Sequence, residues 1–182
     1  ASLFQNAISY PAWNDGREYQ TESLDADGST VLRRIANNWQ QGCAVSSWST
    51  TIPNNPRIAD TTATLADTNQ VFKQSFAYDC YNNQTDVYEY DFGVGAPGPL
   101  IRHIHTDYVT LNNGVDYAAD TNIHIRNLPL QKQVFDAGGT KRAETFYEYD
   151  LYDNSPNHAP LIDRPGISGL DSGFTTGYTR RG

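Results

Sequence analysis

Apolar and polar residues alternate cleanly from Tyr88 to Asp91, and strand-like stretches elsewhere along the chain are separated by short clusters of Asp, Asn and Gly. That pattern predicts strands joined by tight turns. Three stretches read as one repeated unit. The clearest runs from Gln133 through Asp136-Ala137-Gly138-Gly139 to Lys141, then Glu144-Thr145-Phe146-Tyr147-Glu148-Tyr149-Asp150. A second runs from Thr64 through Asp67-Thr68-Asn69 to Val71, then Lys73 to Asp79. A third, weaker copy runs from Glu22 through Asp25-Ala26-Asp27-Gly28 to Thr30, then Arg33 to Trp39. A lone hairpin cannot bury its apolar face, so each unit needs neighbours. The predicted class is all-β: repeated β-hairpins in a twisted antiparallel sheet or strip, with long loops rich in Pro, Gly and Asn.

The hairpin units fall at about 17–39, 58–79, 86–109 and 130–150, within a single domain spanning 1–182. Val31, Leu32, Ile35, Ala36 and Trp39 also fit a helical spacing, but the other copies place a strand there. Residues 1–21 read as extended, with turn signals at Tyr10-Pro11 and Asn14-Asp15-Gly16. Residues 50–57, 110–121 and 151–173 read as loops, and Phe92 to Pro99 as irregular. Asn122 to Arg126 reads as a short strand stopped near Pro129, and 174–181 as a C-terminal strand. The first segment and the last both look like strands without partners, which are candidate open sheet edges.

Composition agrees with an exposed, turn-rich β protein: 38% hydrophobic, 19% charged, twelve Tyr and no Met. With no Met at position 1, the chain reads as a processed form or a fragment. A formal charge of −8 argues against nucleic acid, which needs a basic footprint. It also disfavours anionic membrane surfaces. No apolar run of spanning length occurs, so membrane insertion is not expected. Cys43 and Cys80 are either a disulfide or two buried thiols, because sequence does not measure their separation. Asn83-Gln84-Thr85 is the one N-glycosylation sequon.

In a strand, residues two apart share a face. Tyr88 and Tyr90 then lie on one face with Glu89 and Asp91 on the other, and Tyr147 and Tyr149 oppose Glu148 and Asp150 in the same way. Paired acids also occur in glycoside hydrolases, but acids that recur with a repeat describe a solvated structural face. No catalytic residue is assigned, and no cofactor. His103 and His105 project together, a spacing that suits a transition metal. No third ligand stands at a fixed offset, although His124 is a candidate neighbour, so an exposed histidine pair is expected and no metal site. Asp25 to Ser29 lacks the Gly and Glu positions of a calcium loop. The Gly-rich 93–98 stretch has neither the Lys nor the helix of a phosphate loop. No nucleophile elbow occurs. Trp13, Trp39 and Trp48 are either packing residues or a sugar-stacking platform.

Tyr88-Glu89-Tyr90-Asp91 and Tyr147-Glu148-Tyr149-Asp150 resemble the YD repeats of the Rhs family. The context from Val87 to Gly93, Leu100 to Arg102 and Ile123 to Pro129 is similar to the core of bacterial Rhs-repeat proteins, as is the stretch from Ile167 to Gly182. Tyr78, Asp79, Tyr88, Tyr90, Asp91, Tyr147, Tyr149 and Asp150 are the signature residues. The resemblance implies a secreted or surface protein, of bacterial origin, whose hairpins spiral into a strip or shell. This chain is too short to close such a shell and carries no toxin domain. The expected function is therefore a non-enzymatic extracellular structural segment, which joins copies of itself head to tail or continues into flanking repeats. The alternatives are a carbohydrate-binding or adhesion module and a shell fragment of a toxin-type protein. An enzyme fragment is the least favoured class.

Overall fold

The computed structural model describes residues 12–43, 54–112, 114–119, 125–151, 156–158 and 160. It is all-β, with no α-helix among the described residues. Ten strands follow one another: β1 (Gln20–Leu24), β2 (Val31–Gln40), β3 (Arg57–Leu65), β4 (Gln70–Tyr78), β5 (Gln84–Val94), β6 (Leu100–Tyr108), β7 (Leu111–Asn112), β8 (Val115–Asp116), β9 (Pro129–Asp136) and β10 (Lys141–Phe146). Eight form one open sheet in the order β1-β2-β3-β4-β5-β6-β9-β10, while β7 and β8 pair with each other. From β1 to β6 each strand pairs antiparallel with the next. The predicted strand at Val31 to Trp39 is β2, whose backbone is used on both edges. Ile35 lies opposite Thr21 on one side and Ala63 on the other.

Turn chemistry sets the hairpins. Asp25 N–H donates to Thr30 O, and Gly28 N–H donates back to Asp25 O. Gly28 takes the left-handed conformation at φ +70° that this turn demands of a residue without Cβ. The β9–β10 turn repeats the scheme from Asp136 to Thr140. In the first turn, Asp27 Oδ1 accepts from the Ser29 and Thr30 amides, both at 2.8 Å, and Oδ2 accepts from the Thr30 hydroxyl. These bonds, led by that of the hydroxyl, lower the Asp27 pKa from 3.8 to about 2. A depressed carboxylate stabilises the fold above its unfolded pKa, and that contribution disappears as pH falls through the folded value. Asp27 is therefore expected to titrate near 2 by carboxyl NMR, with the Ser29 and Thr30 amide shifts following the same curve. A midpoint at the ordinary carboxylate value would remove this role.

The chain divides into two compact units, residues 1–106 with 133–144, and residues 107–132 with 145–182. In the first, the buried apolar residues among those described are Ala63 and Val71. Polar side chains form cross-strand ladders instead. Arg34 meets Glu22 at 2.8 Å, and Asn38 donates to Asp60, which also faces Lys73. Gln74 donates to Glu89, which pairs with Arg102. Glu89, expected on a solvated acid face, is thus paired. In the second unit, Val109, Tyr117 and Ala118 are buried, and Tyr117 is only 1% exposed.

Several expectations need correction. Phe92, Gly93 and Val94 continue β5, because Val94 pairs with Gln70 and Gly95 N–H donates to Asn69 O. The stretch 110–121, read as a polar loop, contains β7, β8 and the buried Tyr117 and Ala118. Pro129 does not stop a strand but opens one, a position where its missing N–H costs no ladder bond. Ile125 and Arg126 carry no regular structure. Tyr147, Glu148 and Tyr149 lie beyond the end of β10, although the Tyr147 N–H still donates to Leu130 O of β9. Asp150 turns the chain away at φ +56°. The strand predicted at 174–181, the extended segment 1–11 and Trp48 lie outside the described residues.

Candidate functional site

Register across β5 and β6 builds a cluster of ionisable groups. Asp86 lies opposite His105, and Tyr88 opposite His103. Directly opposed residues share a face, so Asp86, Tyr88, His103 and His105 project together. His103 Nε2 and His105 Nδ1 stand 2.8 and 2.7 Å from the same oxygen, Asp86 Oδ1. Asp86, His103 and His105 expose 16%, 23% and 33% of their side chains, so the cluster is sheltered yet open to water. Burial pushes the Asp86 carboxyl up, but hydrogen bonds with His105, His103 and Thr85 together outweigh it and leave the pKa below the ordinary value.

Aromatic rings hold this cluster in place. Tyr88 stacks on His103 with centroids 4.3 Å apart and planes 4° from parallel. Phe135 of β9 stacks on His103 at 5.4 Å. Burial, then the charge of Asp86, raises the Tyr88 hydroxyl above its ordinary value, so it stays protonated across the physiological range. The expected third partner, His124, lies outside the described residues. Asp86 is the third member, and it sits on the neighbouring strand rather than at a sequence offset from the histidines. Its signal was symmetry: Asp86 and His105 are equidistant from Gly95-Ala96, the centre of their hairpin.

The signature aspartates organise local turns: Asp79 directly after β4, Asp91 within β5 and Asp150 in the stretch that follows β10. Asp79 Oδ1 accepts from the Tyr81 and Asn83 amides, and its Oδ2 accepts from Asn83 Nδ2. Asp91 donates its N–H to Pro99 O and accepts from Gly98 N–H, which closes the β5–β6 loop. Asp150 accepts from the hydroxyl of Tyr117. Tyr78 donates its hydroxyl to Ile58 O, and Arg57 lies over its ring at 4.6 Å. Tyr90 lies opposite Lys73 and Leu100. Burial raises the Tyr149 hydroxyl, with a smaller contribution from Tyr147.

Cys43 and Cys80 are joined by a disulfide, with Cα atoms 5.1 Å apart. Asn83, the sequon residue, is half-buried and its side-chain amide is held by Asp79. A glycan on that nitrogen would have to displace this bond. Trp13, Tyr19 and Trp39 line an open groove of about 370 Å³ with Asn14, Asn37 and Asn38. Arg17 covers the Trp39 ring at 5.5 Å, and Trp39 Nε1 donates to Glu18 O. Trp39 is therefore tied into the sheet edge rather than presented as a free stacking platform. Comparison with known proteins finds no matching family model, no matching curated protein and no matching solved structure.

Proposed function

We propose that this chain is a non-enzymatic structural β-repeat segment of the Rhs/YD type, working outside the cell, which joins copies of itself head to tail by strand addition. The observation that carries this reading is the state of the two terminal strands of the sheet. Every residue of β1 and every residue of β10 is exposed. Exposed edge strands are templates for another chain. A contact between two different edges does not close on itself and gives a fibre. The disulfide supports the extracellular setting, since such bonds persist in oxidising compartments.

Charge supports joining unlike edges. Glu18 and Glu22 lie at the β1 side, while Lys141 and Arg142 begin β10. Their internal partners are Arg34 for Glu22, Glu144 for Lys141 and Asp136 for Arg142, all in substantially exposed pairs. Exposed pairs contribute little, so exchanging partners between copies costs little. Like edges would place acid on acid or base on base.

Analytical ultracentrifugation of this chain across a concentration series tests the reading. Higher-order species are expected to grow with concentration and to retreat at high salt. Asn37 N–H donates to Tyr19 O, so alternation turns the backbone groups of Gln20 and Glu22 outward. Glu22→Pro removes one outward donor without breaking the β1–β2 ladder, and it is expected to weaken association at least about tenfold. A monomer at every concentration, or assembly indifferent to this proline, would sink the proposal.

A further inference from the structure

We propose that Asp86, His103 and His105 form a binding site for one divalent transition-metal ion of the zinc or copper class. This inference does not rest on the structural role above. Three donor atoms of the right chemistry converge: two imidazole nitrogens and a carboxylate oxygen, all within 4.8 Å of one another. Imidazole selects zinc, copper and nickel over magnesium and calcium, which demand oxygen ligands. Two neutral imidazoles and one carboxylate leave a divalent ion with net positive charge. A water molecule or an outside ligand then completes the coordination from the exposed side.

The nitrogen–oxygen geometry needs little adjustment. Metal–ligand bonds of about 2.0–2.2 Å in a tetrahedron place donor atoms roughly 3.3 Å apart. The nitrogen–oxygen separations here are 2.8 and 2.7 Å. Opening each by about 0.5 Å is within a small torsional shift of the Asp86 side chain, well inside one rotamer well. The two histidines hold their donor nitrogens within 4.8 Å of each other, a separation that must come to about the same 3.3 Å. They stand on a central strand with both neighbours in place, and His103 is stacked between Tyr88 and Phe135. Ligands on strands whose rings are locked by packing are preorganised for an ion. Thr85 bonds to the Asp86 carboxyl and supports it from behind, as outer partners of metal ligands do.

The test titrates the full chain, free of any affinity tag, with Zn(II) alone by calorimetry and by imidazole NMR. Cu(II) serves as the second probe and Mg(II) and Ca(II) as controls. Saturation is expected at one Zn(II) per chain, with the His103 and His105 ring signals moving together. His105→Ala and Asp86→Asn are each expected to weaken binding at least about tenfold. Asp86→Asn keeps a side chain able to bond both rings, so its loss of affinity reports on the ligand and not on folding. His103→Ala also removes the ring held between Tyr88 and Phe135, so His105→Ala and Asp86→Asn decide if that variant unfolds. No saturable uptake of Zn(II), or uptake unchanged in His105→Ala, would overturn the site and leave a hydrogen-bonded cluster only.

Discussion

Breaking the Cys43–Cys80 disulfide is expected to lower the unfolding free energy of the first unit by about 4 kcal/mol. The two cysteines are 37 residues apart in sequence, and closing a loop of that length removes about that much free energy of disorder from the unfolded chain. The size of the effect matters because the described residues of this unit bury little apolar surface. Its buried apolar residues are Ala63 and Val71, and its cross-strand ion pairs lie at the surface, where each contributes about 0–1 kcal/mol. Domains of ordinary stability have about 5–15 kcal/mol in total, so the bond holds a large share. It also closes one end of the sheet. Cys80 follows the Asp79 turn, whose carbonyl accepts from Arg57 at the start of β3, and Cys43 O accepts from Asn54 Nδ2 just before β3. Urea unfolding of the paired Cys43→Ser, Cys80→Ser variant against the oxidised chain measures the difference without leaving a reactive thiol. A shift below about 1 kcal/mol would show that the loop is already constrained in the unfolded chain.

The hairpins were legible because each carries its own local instruction. Asp25 and Asp136 mark turns in which a Gly takes a positive φ, and the alternation on either side fixes which residues share a face. What stayed hidden depends on residues distant in sequence. Gly93 reads as a strand breaker, yet it belongs to β5. A Cβ on it would lie 2.5 Å from Ala96 O, so the loop needs Gly there for close approach of backbone to backbone. The Tyr147-Glu148-Tyr149-Asp150 tail copies Tyr88-Glu89-Tyr90-Asp91 in letters but not in conformation. In the later copy the carbonyl of Tyr149 accepts from Asn112 and the Asp150 carboxylate binds Tyr117, contacts that pull the tail out of strand geometry. A four-residue pattern carries no information about those partners. The candidate metal cluster was half legible: the histidine spacing showed itself at once, while Asp86 required the hairpin register. That register was available from the symmetry about Gly95-Ala96, interrupted only by the bulge between Glu89 and Tyr90.

Truncation of Tyr117 to Ala is expected to cost the second unit about 3–5 kcal/mol, the range for emptying a fully packed aromatic site. Tyr117 is the largest fully buried side chain among the described residues. Its hydroxyl donates to Asp150 and accepts from Asn112 Nδ2, which also donates to Tyr149 O. One ring therefore joins the β7–β8 hairpin to the turn that follows β10. Tyr117→Phe separates the two contributions. It keeps the packed ring and removes the hydroxyl, and with it the bonds to Asp150 and Asn112, at a cost of about 1–3 kcal/mol. Hydrogen exchange localises the damage. The amide of Val109, which donates to Leu128 O within the same unit, is expected to exchange faster in Tyr117→Ala. Amides of the β2–β3 ladder, such as that of Thr62, are expected to keep their protection, because local openings follow contiguous packed units. Equal loss of protection in both places would mean that the two units unfold together. An unchanged Val109 would mean that Tyr117 is not the anchor of its unit.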